Sequence, residues 1–400
     1  MKVFFRRIHL YLGLAAGLVI LSCCLTGAIL VFEKDLQMAL NKKRYYVEAQ
    51  SNQLSIDQLL KKVQKDFPGA KINGVKIYED AKRSAEINVS FPPKKNSKKE
   101  ASKTVEPKKS AAPQQQPGFT IFVNPYTGAI LEKYSYRETW FYQAFALHRW
   151  MLDSNSSIGK LITGISTLIF LFILITGIIL WWPKTKRVLK QRLKIKWNAG
   201  WKRINHDLHL VFGFYSAIFL FIFAFTALAW SFEWFNKGIY KVTNSPLKAS
   251  APPKSNYIAD AKQISFDNAL SSAKTVYANV EFYNIAMPKD SAEAINVTTL
   301  NKNAAHESAT DAVYIDQYSG KVLGKMEFGN RSLGAKVRSS FKPIHTGSIW
   351  GTPSKIIAFI VCLLGATFPV TGVIMWINRT GKKKNLIKRS LEVAEVEYIN

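Results

Sequence analysis

Acidic residues are scarce: 27 Asp and Glu stand against 55 Lys and Arg in 400 residues, giving a net charge of +28. Cysteine is scarcer still. Cys23, Cys24 and Cys362 all fall inside apolar runs, so no disulfide framework is implied. No H-E-x-x-H occurs and the apolar runs contain no Asp or Glu, which leaves a catalytic zinc site or an ion-translocating carboxylate pathway unsupported. No G-x-G-x-x-G follows an expected strand, so a flavin or nicotinamide would have to belong to another molecule. No DNA- or RNA-binding motif accompanies the basicity, and nucleic acid is not expected as a partner.

The chain is rich in long uncharged apolar runs: Leu10 to Phe32, Leu161 to Trp182, Leu210 to Phe232 and Ile356 to Ile377. A hydrocarbon core of roughly 30 Å takes about 20 helical residues, so each run predicts a transmembrane helix. The first is too long for a signal peptide and no A-x-A site precedes Glu33, so it reads as an uncleaved anchor. Lys2, Arg6 and Arg7 precede the first run, nine basic and no acidic residues lie between Lys184 and Arg203, and Arg379 to Arg389 follows the last run. Basic loops stay on the cytoplasmic side, so both termini are expected there, in a multi-pass membrane protein contacting lipid. The expected order is a first membrane helix in 1–33, an external domain in 34–140, a His-bearing segment with the second helix in 141–183, and a basic loop in 184–203. A third helix in 204–234, a second external domain in 235–340, a His-bearing segment with the fourth helix in 341–378, and a tail in 379–400 complete it.

The two halves repeat at an offset of about 200 residues. HLYLG from His9 matches HLVFG from His209, FVNPYTGAIL from Phe122 matches YIDQYSGKVL from Tyr314, LHRWML around His148 matches IHTGSIW around His345, and ITGIILWW from Ile175 matches VTGVIMWI from Val370. The Pro-Tyr-Thr-Gly and Asp-Gln-Tyr-Ser-Gly clusters predict hairpin turns, and Leu54 to Phe67 and Ser265 to Tyr277 carry amphipathic helical spacing. The expected fold class is an α-helical membrane protein of four helices from an internal duplication, with two small α+β external domains. Residues 92–117, seven of them lysine, break this order and read as a flexible insertion.

Six histidines are present: His9, His148, His206, His209, His306 and His345. A lone histidine at a helix end commonly caps a carbonyl. Four in duplicated positions at two membrane faces are better read as two ligand pairs. Neutral imidazole is an axial ligand of b-type haem, and a bis-histidine site needs one from each of two helices. No C-x-x-C-H is present, which excludes covalent attachment. A pseudo-twofold would set His9 opposite His209 on the cytoplasmic side and His148 opposite His345 on the external side. Gly13, Ala16, Gly17, Gly213 and Ala217 would let a flat macrocycle approach the helices. His206 is the reserve ligand or a propionate partner, and His306 reads as ordinary surface.

RRIHLYLGL, ALHRW, NHDLHLVFG, IHTGSIWG and the TG-x-x-x-W endings together resemble the PepSY-associated transmembrane, or iron-regulated membrane, protein family, and the paired NPYTG and DQYSG turns resemble the ends of PepSY modules. The resemblance implies a ferrisiderophore reductase holding two haem b groups through His9, His148, His209 and His345. It implies a cytoplasmic electron donor and a ferric siderophore outside, from which reduction releases iron. Trp140, Arg149, Trp150 and Trp350 are candidates for contact with that chelate, although tryptophan at a membrane interface is commonly an anchor. Two other readings stay open: a non-enzymatic sensor or regulator, and a haem or siderophore transporter.

Overall fold

A computed structural model describes residues 1–91, 118–152, 157–257 and 261–399; the lysine-rich insertion expected at 92–117 lies outside them. The chain divides into a helical unit, Met1–Phe32, Gln143–Val242 and Ser340–Asn400, and a sheet unit, Glu33–Tyr142 and Thr243–Ser339.

Four helices of the helical unit are long and apolar enough to cross a membrane: Lys2–Val31, Ile158–Trp181, Trp201–Ser231 and Thr352–Gly381. In lipid the backbone must satisfy its own hydrogen bonds, so uninterrupted helix is the form such runs take. The first packs on the second and fourth, and the third on the same two. Small side chains allow the close approach, with Ala16, Cys24 and Ala366 buried beside Ile20 and Ile173. The helices extend beyond their apolar runs. The first begins at Lys2 and the third at Trp201, so His9 and His209 lie inside helices and not at their starts. The third also takes in Asp207, which the apolar run left out. It is buried, and its carboxylate is met by Arg203 Nε at 2.8 Å and by the Lys196 N–H at 3.3 Å. The fourth helix continues to Ile399, so the expected tail is helical and continuous with the span.

In the sheet unit the expected amphipathic stretches form Ile56–Asp66 and Phe266–Val276. Ser55 caps the first through a capping box, and Asp57 and Asp267 each accept a backbone N–H from the start of the opposite helix. Eight strands follow: β1 Lys71–Tyr78, β2 Ala85–Ser90, β3 Phe119–Val123, β4 Ile130–Tyr134, β5 Val280–Ala286, β6 Ile295–Asn301, β7 Asp311–Ile315 and β8 Val322–Met326. They make one antiparallel sheet in the order β4-β3-β2-β1-β5-β6-β7-β8. This differs from the two separate domains expected: β1 pairs with β5, Val75 facing Ile285, which removes an exposed edge from each half. Alternation puts Val75, Ile87, Ile121, Ile285, Val297 and Val313 on the face covered by the two helices, in one shared core.

Both expected turns form, and each needs a left-handed residue, supplied by Gly128 (φ 70°) and Gly320 (φ 73°). Asp316 organises the second turn by accepting from the N–H groups of Asn256, Tyr318 and Ser319 at 2.8–2.9 Å. Burial opposes its charge, but these donors prevail and hold its pKa below the ordinary carboxylate value. A depressed folded-state pKa gives stability that is complete above the unfolded value of about 3.9 and lost as pH falls through the folded one. Asp316→Ala is therefore expected to lower stability at pH 7 by about 1–3 kcal/mol, and the deficit should shrink below the unfolded pKa. Thermal unfolding of the full chain in detergent, followed by the β-sheet amide I band at both pH values, checks this.

Candidate functional site

The helical unit brings four of the six histidines into two pairs. The rings of His9 and His209 lie 6.4 Å apart between centroids at 80°, and those of His148 and His345 lie 6.1 Å apart at 64°. Two imidazoles sharing one metal through bonds of about 2 Å have centroids roughly 6 Å apart. The pairs are well separated: His9 and Thr26, the latter bonded to His148, share the first helix, and a rise of about 1.5 Å per residue sets them about 25 Å apart.

Each ring is oriented by a threonine of a neighbouring helix. Nδ1 of His9 lies 3.0 Å from Thr176 Oγ1, that of His148 3.1 Å from Thr26, that of His209 2.8 Å from Thr371, and that of His345 3.3 Å from Thr226. Backbone carbonyls reinforce three of them: Ile173 at 3.1 Å for His9, Cys23 at 2.9 Å for His148 and Phe223 at 2.9 Å for His345. Every threonine hydroxyl already donates to a carbonyl of its own helix, those of Ser22, Phe172, Ile222 and Thr367. Its oxygen can therefore only accept. The carbonyls, able only to accept, place the proton of His9, His148 and His345 on Nδ1, and the same tautomer in His209 lets Thr371 keep its own donation, so that Nε2 is left with its lone pair.

Glycine follows three of these threonines. A Cβ at Gly27 would stand 3.4 Å from His148 Cε1, one at Gly177 3.3 Å from His9 Cε1 and one at Gly372 3.6 Å from His209 Cε1, so the Cε1 edge of each ring sits against bare helix backbone. The fourth position is Ala227.

A cavity of about 780 Å³ opens at the His9–His209 pair. Gly13 and Gly213, one turn along from these histidines, line it, and a Cβ at either would meet only open space. Phe214 and Trp181 stack at 3.7 Å between centroids on its wall, and Trp181 Nε1 is buried without an acceptor among the described residues. Lys2, Arg6, Arg192, Lys202 and Arg379 also line it, an electropositive end to an apolar slot. His206 is part of the lining, half-exposed, with Nδ1 3.3 Å from Asp207 Oδ1.

The remaining candidates are scattered. Trp140 and Trp350 are exposed, at 69% and 79%. Trp150 meets Phe145 edge-on, and Arg149 donates to the Trp230 carbonyl at 2.6 Å, capping the end of the third span. His306, which accepts from the Ser308 N–H and meets Phe328 edge-on, belongs to the sheet unit. Thr26, Thr176, Thr226 and Thr371 were not among the expected site residues, although Thr176 and Thr371 sit in the Thr-Gly pairs of the repeat.

Four apolar spans carrying two interhelical histidine pairs, with an antiparallel sheet unit in the same chain, define a multi-pass membrane protein. The chain belongs to the PepSY-associated TM region family, whose family model matches residues 6–379. No curated protein matches the chain.

Proposed function

We propose that this protein is a di-haem reductase of the bacterial inner membrane, passing electrons from a cytoplasmic donor to a ferric siderophore outside and so releasing its iron. The observation that carries the reading is the set of four Nδ1–H···Oγ contacts, which leave Nε2 free on four rings that stand in two pairs with centroids 6.4 and 6.1 Å apart. Among the described residues no group of three or more His, Cys, Asp or Glu is placed to hold a metal, so an all-protein site has too few ligands. A macrocycle supplying the other positions fits the two-imidazole arrangement, and a 780 Å³ slot floored by Gly13 and Gly213 fits its flat shape. Held by His9 with His209 and by His148 with His345, b-type haem would supply one-electron transfer in each leaflet.

The protein's own part is to orient and shield. The threonines fix ring tautomer and direction, and the basic residues at the cavity end and the Trp181 N–H would hold the carboxylates of such a group. The basic loop and flanks support cytoplasmic termini. The matching order of helix and four strands in each half of the sheet unit, with the reciprocal Asp57 and Asp267 caps, supports descent by internal duplication.

Proteoliposomes loaded with an impermeant reductant, with a ferric siderophore and a ferrous-iron chelator outside, are expected to accumulate the ferrous complex faster than protein-free vesicles. Equal rates would contradict the reading. The threonines give a graded test. Thr371 is the only partner of His209 Nδ1 among the described residues, whereas His9 keeps the Ile173 carbonyl if Thr176 is lost. Thr371→Val is expected to weaken haem retention at that pair by about 10- to 100-fold, and Thr176→Val by less, read from haem loss to an apoprotein scavenger.

A further inference from the structure

We infer that the face of the sheet opposite the shared core, at the seam where β1 meets β5, binds an anionic, oxygen-rich chelate, with Lys76 as the cation that recognises it. The inference deepens the proposed function by giving its chelate a binding place, and it rests on that reading.

Strand alternation puts Lys76 and Tyr78 of β1, Phe282 and Asn284 of β5, and Asn296 and Thr298 of β6 on the face opposite the core. The helices Ile56–Asp66 and Phe266–Val276 cover the other face. Along the β3–β4 end, the helices Glu33–Leu40 and Lys42–Tyr45 occupy this face, and Lys34 reaches Glu307 of the other half at 2.7 Å. There Arg44 makes a two-pronged ion pair with Glu132 and lies 4.4 Å over the Tyr134 ring.

The middle of the face is different, because Lys76, Asn284 and the Asn296 side-chain oxygen have no polar partner among the described residues. Lys76 Nζ lies 4.0 Å from the centroid of Phe282 and 4.7 Å from that of Tyr78, half-buried, with no hydrogen bond or ion pair among the described residues. Glu86, directly opposite Lys76 in the β1–β2 register, is engaged elsewhere: it accepts from the Tyr78 hydroxyl at 2.6 Å and lies 3.9 Å from Arg83. Burial lowers the Lys76 pKa, with Glu86 pulling it back up. Asn284 stands directly opposite Lys76 in the β1–β5 register, and its amide makes no hydrogen bond among the described residues. Asn296, diagonal to Asn284 across β5–β6, has a buried Oδ1 with no partner. Directly opposed residues of an antiparallel pair have Cβ atoms about 5 Å apart and diagonal ones about 7–8 Å, so these three side chains span a patch of small-molecule size.

An ammonium resting only on aromatic rings keeps its three donors unmet, and burying such donors is costly unless a ligand supplies acceptors. Anionic oxygens meet the ammonium, the two carboxamides reach further oxygens, and Tyr78 and Phe282 offer flat faces to the organic part of a chelator. A peptide strand would instead add to the free edges of β4 or β8, where backbone donors and acceptors lie.

The test uses the gallium(III) complex of a tris-catecholate siderophore, which mimics the ferric complex in charge and shape but is not reduced, so binding is read apart from electron transfer. Titrated into the full-length protein in detergent, it is expected to bind wild type. Lys76→Ala should weaken that binding about tenfold or more, with Lys76→Met as a second variant that keeps the stem. Lys133→Ala removes an equal charge from the other face, where Lys133 lies over Phe91 and Phe119, and should bind like wild type. No binding to wild type, undiminished binding to both Lys76 variants, or equal weakening by Lys133→Ala overturns the inference. Gallium chelate that binds through Lys76 while the ferric form goes unreduced in proteoliposomes would instead leave the site standing and defeat the reductase reading.

Discussion

His345→Leu is expected to leave a protein that inserts and folds but retains about one haem per chain instead of two. His345 closes the helix Leu333–His345, and its ring faces His148 across 6.1 Å, so leucine removes one of two imidazoles while preserving apolar volume. The His9–His209 pair shares no side chain with it and lies about 25 Å away along the first helix, so it should keep its cofactor and its spectrum. Reduction of external chelate should fall by about two orders of magnitude or more, because one leaflet then lacks its centre. His209→Leu should give the complementary loss. Haem stoichiometry, optical spectra and proteoliposome rates of the two variants check the assignment together. Loss of all haem from either single variant would show that the pairs are not independent.

The second large effect comes from volume rather than ligation. Gly213→Leu places a branched side chain where a Cβ now meets only open space, inside the cavity beside His209. The third helix is stable to the change, since leucine favours helix over glycine by close to 1 kcal/mol. The protein should therefore accumulate normally yet lose the haem of the His9–His209 pair while retaining the other. Gly213→Ala, adding one methyl to the same slot, should retain both. Haem content against protein yield for the two substitutions makes the test, and full occupancy in the leucine variant would place the cofactor elsewhere.

The spans were legible because uncharged runs of that length have one solution in lipid, and the turns because Gly128 and Gly320 supply the left-handed residue each needs. The histidine pairing followed from the repeat: His9 with His209 and His148 with His345 are the combinations a twofold allows, and they are the pairs the helices bring together. What escaped was the second layer. Threonine in an apolar helix ordinarily donates back to its own turn, and Thr26, Thr176, Thr226 and Thr371 all do so, which makes them indistinguishable by sequence from threonines that do nothing else. Asp207 escaped because it precedes the apolar run, yet the helix starts at Trp201 and buries it. The joining of the two halves into one sheet escaped for a different reason. Alternation in β1 and β5 fixes which face of each strand is buried but says nothing about which edges meet, and the partners lie about 200 residues apart.

The most direct test of the central claim is the absorption spectrum of the detergent-purified protein, as isolated and after dithionite, with a pyridine haemochrome assay against protein concentration. The account predicts sharp low-spin b-type bands that shift on reduction, at about two haems per chain. A colourless protein that takes up no haem on reconstitution would contradict it.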